Sequence, residues 1–149
     1  MSADLSFDGR YLRSISAVCK VSCLLCTFIG FLCILCSSTV RPHNLRGAFY
    51  LAVAAFAFFC SSCSLLAGLV QFWQRNFHNF DAARYEMFLN GFLASIVFVA
   101  AAVSCSMDVL EYSLATFFGF FAACFYAYEA YLGICLSRKC SVATQTQIA

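Results

Sequence analysis

Charge is scarce in this chain. Of its 149 residues only 11% are Asp, Glu, Lys or Arg, whereas 63% are hydrophobic and mean hydropathy is +0.85. A soluble domain keeps about a quarter of its residues charged to wet its surface, so a soluble globular fold is excluded. Proline occurs once, at Pro42, and leaves long helices uninterrupted. The net charge of +2 is too small to point to a nucleic-acid partner. The chain has no phosphate-cradling Gly loop, no paired carboxylates in a cleft and no Ser/His/Asp set on one side. Neither an enzyme nor a cofactor is expected.

What the sequence has instead is four long apolar runs, at about residues 15–36, 47–73, 87–106 and 113–136. Each matches the roughly 20 helical residues that cross a bilayer core. They are too long for barrel strands and do not alternate, so helices are expected rather than strands. Short connections make successive helices antiparallel neighbours. The expected fold is an all-α, antiparallel four-helix transmembrane bundle over 13–138. Residues 1–12 are expected as a polar tail rather than a cleavable signal, since Asp4 and Asp8 come first and the first apolar run continues for a full span. Residues 139–149 are expected as a second, frayed tail.

Orientation follows from the basic residues. In an alternating topology Arg10, Arg13, Lys20, Arg75, Arg84, Arg138 and Lys139 share one side, and Arg41 and Arg46 lie on the other. Lys/Arg-rich short loops stay cytoplasmic, so both termini are expected there. Trp73, Tyr85 and Tyr112 fall at span ends, where amphipathic rings favour the headgroup layer.

Cysteine is abundant, with 11 residues. Cys23 and Cys26, Cys33 and Cys36, and Cys60 and Cys63 have CxxC spacing, which can mark zinc or redox sites. All three pairs sit inside apolar runs, where Cys acts as a small hydrophobe. His43 and His78 fall on opposite sides, so no metal site is expected. Cys19, Cys23, Cys135 and Cys140 lie near the cytoplasmic boundary and are the candidates for palmitoylation.

Ala115, Gly119, Ala123 and Ala127 recur every four residues in the fourth run. This helix-packing stripe is expected to let another backbone approach, within the bundle or in a homo-oligomer. Phe117, Phe118, Phe120, Phe121 and Phe125 surround it and are expected to meet lipid. Lys20, Asn90 and Glu129 are the strongly polar groups inside the runs. At 1.5 Å per residue all three lie on the cytoplasmic side of the midplane, where they can form one polar cluster.

These features resemble the MARVEL superfamily of four-helix membrane proteins. The fourth run, with Phe118, Gly119, Phe120, Tyr126 and Glu129, is similar to that family's last span. Residues 84–104, with Glu86 and Asn90 near one end and Leu93 and Ala94 central, resemble its third, and Arg13 before the first run also fits. The likeness covers roughly 10–138, and the short loops look most like plasmolipin, the MAL proteolipids and the chemokine-like-factor group. It implies a non-enzymatic organiser in vesicle trafficking or membrane apposition, at the plasma membrane, in lipid rafts or on trafficking vesicles. The implied partners are membrane lipids, cholesterol among them, and other transmembrane proteins. The competing reading is a channel or transporter subunit, or a membrane thiol oxidoreductase. The lack of a polar path through the outer half disfavours transport, and the lack of Cys in the first outer loop disfavours thiol exchange.

The seven-to-two division of Lys and Arg makes topology testable. Epitopes at the N-terminus, within 74–84 and at the C-terminus are expected to be reached only after permeabilisation. Epitopes at 40–46 and 108–111 should be labelled on intact cells. Surface labelling of the N-terminal epitope would reverse the assignment.

Overall fold

The computed structural model describes residues 14–37, 44–69, 82–107 and 109–146, and their side chains other than those of 82, 83 and 136–146. Four helices follow one another: α1 (Ile15–Leu35), α2 (Leu45–Leu69), α3 (Ala82–Cys105) and α4 (Leu110–Thr146). All four contain a segment long and apolar enough to cross a membrane, and the protein is a multi-pass α-helical membrane protein. The 1–12 tail, residues 70–73 of the second expected span and Trp73 lie outside the described residues.

Local chemistry sets the helix starts. Ser14 caps α1 by accepting from the Ala17 amide at 3.2 Å, and the Asn44 side chain receives the Gly47 amide at 3.4 Å ahead of α2. These side chains satisfy amides that have no intrahelical carbonyl. α3 begins five residues before the expected span at 87, which brings Arg84 and Glu86 onto a helix. α4 does not fray at 139 as expected but continues to Thr146. No Pro or Gly follows Gly133 to stop it. At 37 residues it is roughly 55 Å long, well beyond the ~30 Å hydrocarbon core.

The helices form a closed ring, α1 against α2, α2 against α3, α3 against α4 and α4 against α1. Contacts between ends give the directions. Lys20 at the start of α1 meets Glu86 at the start of α3, and Ser16 meets Glu129 late in α4. Asn44, just before α2, meets Tyr112 at the start of α4. The bundle is therefore up-down-up-down. Its proximal end is where α1 begins, and its distal end is where α1 finishes.

Two apolar layers fill the ring. The distal layer is Ile34, Tyr50, Ala54, Ala100, Ala101, Tyr112 and Ala115. The middle layer is Cys23, Ala57, Leu93, Val97, Ala122, Ala123 and Tyr126. Alanines dominate because lipid tails are as apolar as the side chains, so helices associate by close backbone approach rather than by expelling water. Tyrosine fills what small residues leave. The Tyr50 hydroxyl donates to the Ala115 carbonyl at 2.7 Å, against Gly30 and Gly119. A Cβ at Gly30 would collide with that hydroxyl, and one at Gly47 would collide with the Tyr112 hydroxyl.

Two sequence expectations are corrected here. Tyr112 is not a headgroup-belt residue: it is fully buried, and its hydroxyl accepts from Asn44 Nδ2 at 2.8 Å. Ala127 is exposed and leaves the packing stripe, whereas Ala115, Gly119 and Ala123 are buried. An α-helix turns about 100° per residue, so a four-residue repeat drifts by about 40° each step and about 120° over three. The buried face instead runs Tyr112, Ala115, Thr116, Gly119, Ala122, Ala123, Tyr126 and Glu129. Phe117 and Phe121 face outward, and Phe118, Phe120 and Phe125 are half-buried.

A Cβ at Gly119 would lie 2.9 Å from Ala101 Cβ and 3.1 Å from the Tyr50 hydroxyl, whereas Gly91 has nothing within 4 Å. Gly119→Leu is expected to lose about 1–3 kcal/mol through overpacking and Gly91→Leu to match the parent. Thermal unfolding of both variants in mild detergent measures the difference.

Candidate functional site

The polar residues of the bundle interior collect at the proximal end. Heptad-like spacing along α1 turns Ala17, Lys20, Cys23, Thr27, Gly30 and Ile34 inward, so the lysine shares a face with apolar residues and is carried into the ring. It is 3% exposed, and its Nζ stands 2.9 Å from Glu86 Oε1 on α3. Ser64 of α2 donates to the same oxygen at 3.4 Å. One carboxylate oxygen thus gathers three of the four helices. Asn90, one helical turn along from Glu86, is also buried.

Glu129 approaches from α4 and is 5% exposed. Its Oε2 accepts from Ser16 Oγ of α1 at 3.2 Å, and its Oε1 has no hydrogen-bond partner. Lys20 and Glu86 are both near enough to act on it electrostatically. The three residues singled out from sequence, Lys20, Asn90 and Glu129, are all buried at this end. The hydrogen bonds add Glu86, Ser64 and Ser16. The third apolar run, 87–106, starts one residue after Glu86, so hydropathy alone leaves this carboxylate outside the span. Its position four residues before Asn90 would have placed both on one helical face.

Above the cluster, the Tyr126 hydroxyl lies 2.6 Å from Ser61 Oγ and 3.4 Å from the Ala57 carbonyl, which closes the interior with a hydrogen-bonded ring. At the distal end Arg46 donates to Ser106 Oγ at 2.8 Å. Between them the filled apolar layers separate the two polar ends.

Among the described residues the cysteines are dispersed over the four helices. Of the candidates for acylation, Cys19 and Cys23 are packed inside the bundle, with 7% and 1% exposure. Cys135 is half-buried, and the Cys140 side chain lies outside the described residues. In each CxxC pair the first thiol is more buried than the second, and all six are free. Residues three apart on a regular helix hold their Cβ atoms about 5–6 Å apart, wider than the usual disulfide spacing, so CxxC spacing alone does not set up a bond. Among the described residues no group of three His, Cys, Asp or Glu side chains is placed to hold a metal.

Grooves open on the outer surface among the described residues. One of about 440 Å³ lies between α1 and α2, walled by Phe28, Phe31, Phe58 and Phe59 over Thr27 and Ala55. One of about 460 Å³ lies between α3 and α4, with Phe98 and Phe120 over Ala94, Ala123 and the outward Ala127. A smaller one of about 210 Å³ between α2 and α3 reaches Glu86 and Ser64.

Fold and cluster together define a compact four-span helical membrane protein with a paired polar end. No family model, curated protein or solved structure matches the chain.

Removing one member of a fully buried ion pair costs about 3–5 kcal/mol; here Lys20 is buried but the Glu86 side chain is 27% exposed, so the loss falls below that range. Glu86→Leu is therefore expected to lower folded yield, and Lys20→Met/Glu86→Leu to restore much of it. Size-exclusion profiles of the single and double variants in mild detergent test this. A double variant no better than the single would mean that the two side chains act independently.

Proposed function

We propose that this protein is a non-enzymatic membrane organiser. Its outer grooves hold lipid, cholesterol among the candidates, or the transmembrane helices of partner proteins. The observation that carries this reading is the contrast between interior and exterior. The interior is filled by alanine, tyrosine and paired polar groups, while the outside carries two ring-walled apolar grooves of about 440 and 460 Å³. Each is of the size of small-molecule sites in general. Lipid tails and sterols present the apolar chemistry that such walls match, and Phe supplies large contact area at low entropy cost.

The likeness to MARVEL-type proteins in the third and fourth spans supports the same role, sorting lipids or proteins in trafficking vesicles or at the plasma membrane with both termini cytoplasmic. Cys135 is the described cysteine best placed for lipidation there, and the α3–α4 groove over Ala94, Ala123 and Ala127 is the natural face for a second copy. A transport role fits less well, because Tyr126, Leu93 and Val97 fill the layer that a path would have to cross.

The test is lipid retention. The full chain is purified in mild detergent from membranes of known composition, and the retained lipids are measured by mass spectrometry. Selective retention above bulk composition is expected. Ala55→Trp, which fills the α1–α2 groove from its exposed floor, should reduce it. Retained lipid that mirrors the bulk membrane, unchanged by Ala55→Trp, would overturn the lipid role.

A further inference from the structure

The proximal cluster contains more negative than positive charge. Among the described residues Lys20 is the one buried cation and Glu129 the one buried carboxylate. The ammonium is already engaged by Glu86 at 2.9 Å. Every neighbouring element can be read for a compensating group. From α1, Cys19, Lys20 and Cys23 face Glu129, and from α3, Glu86 faces it. α2 brings no described acidic or basic side chain to this end, since its Arg46 is bound to Ser106 at the other. On α4 itself Tyr128 and Tyr131 are exposed, and the inward-facing Tyr126 has its hydroxyl taken by Ser61. With both carboxylates ionised, one ammonium would face two negative charges at the proximal end of the bundle.

The hydrogen bonds around Glu129 also leave an ionised carboxylate short of donors. A carboxylate withdrawn from water needs donors at both oxygens. Here Oε2 has a single hydroxyl donor, Ser16, and Oε1 has none. We propose that Glu129 is a proton-binding site: its carboxyl carries a proton on Oε1, Ser16 donates to Oε2, and Lys20 neutralises Glu86. With that proton, the side chains of Lys20, Glu86 and Glu129 together carry no net charge. The proton is held rather than conducted. Among the described residues no Asp, Glu, Lys, Arg or His is buried in the distal half of the ring.

An apolar carbodiimide tests this, because it partitions into lipid and reacts with a protonated carboxyl to give an acylurea that mass spectrometry can map. The probe is dicyclohexylcarbodiimide, applied at neutral pH to the full chain in phosphatidylcholine vesicles. The expected result is one adduct, on Glu129, that declines as the pH is raised and is absent in Glu129→Gln. Infrared spectroscopy of the unlabelled chain should show a protonated-carboxyl band at neutral pH that Glu111→Gln leaves unchanged. Should Glu129→Gln fail to fold, adduct position and pH dependence on the parent chain still decide. Labelling of Glu86 in place of Glu129, equal labelling of both, or absence of adduct and band together would overturn the site.

Discussion

Hydrocarbon gives a helix bundle little reason to assemble by water release, so backbones must approach closely and buried polar groups must find one another. Both demands meet in the interhelical tyrosines. Tyr50 lies across Gly30 and Gly119 and donates to a main-chain carbonyl of α4, and Tyr112 lies against Gly47 and accepts from Asn44. Tyr126 joins Ser61 and the Ala57 carbonyl. Each ring fills a gap between small residues, and each hydroxyl is engaged by another helix or the segment that leads into it. Hydrogen bonds of this kind contribute modestly in a membrane, about 0.6 kcal/mol on average. Their larger effect is on rotation, since a helix turned by one residue would lose both the bond and the fit.

The same constraint separates the two ends of the bundle. Alanine-rich layers hold the helices close at the middle and distal levels, which leaves no room there for long polar side chains. Lys20, Glu86, Asn90 and Glu129 gather where the proximal end allows them. Lys20 links α1 to α3 across the ring, through Glu86, while Ser64 fastens α2 to the same oxygen. α2 and α3 have the slimmest direct packing of the neighbouring pairs, so this polar bridge does much to close the ring on that side. It also borders the groove between them, which connects the interior charge pair to the lipid-facing surface.

The polar end and the apolar grooves thus serve different purposes. The α1–α2 and α3–α4 grooves present rings, methyls and small side chains to the bilayer, a surface suited to acyl chains, sterols or other helices. The cluster reaches that surface at Glu86 and acts on the bundle itself, by fixing the mutual rotation of four helices through a few charges and hydroxyls.

Sequence alone determined that this protein is a four-span helical bundle, because span length and hydropathy are local properties set against the thickness of the bilayer. It also marked Lys20, Asn90 and Glu129 as interior, because charges inside an apolar run have few other places to go. Tertiary structure decided which groups meet. That Lys20 pairs with Glu86, that Ser16 is the donor to Glu129, that Tyr112 turns inward and that Ala127 turns out to lipid all depend on the rotation of each helix about its axis. Each residue adds about 100°, and a window of hydropathy carries no record of the angle at which two helices finally pack. The extension of α4 to Thr146 was hidden for a related reason: polar residues end a membrane span, but only a breaker or a cap ends a helix.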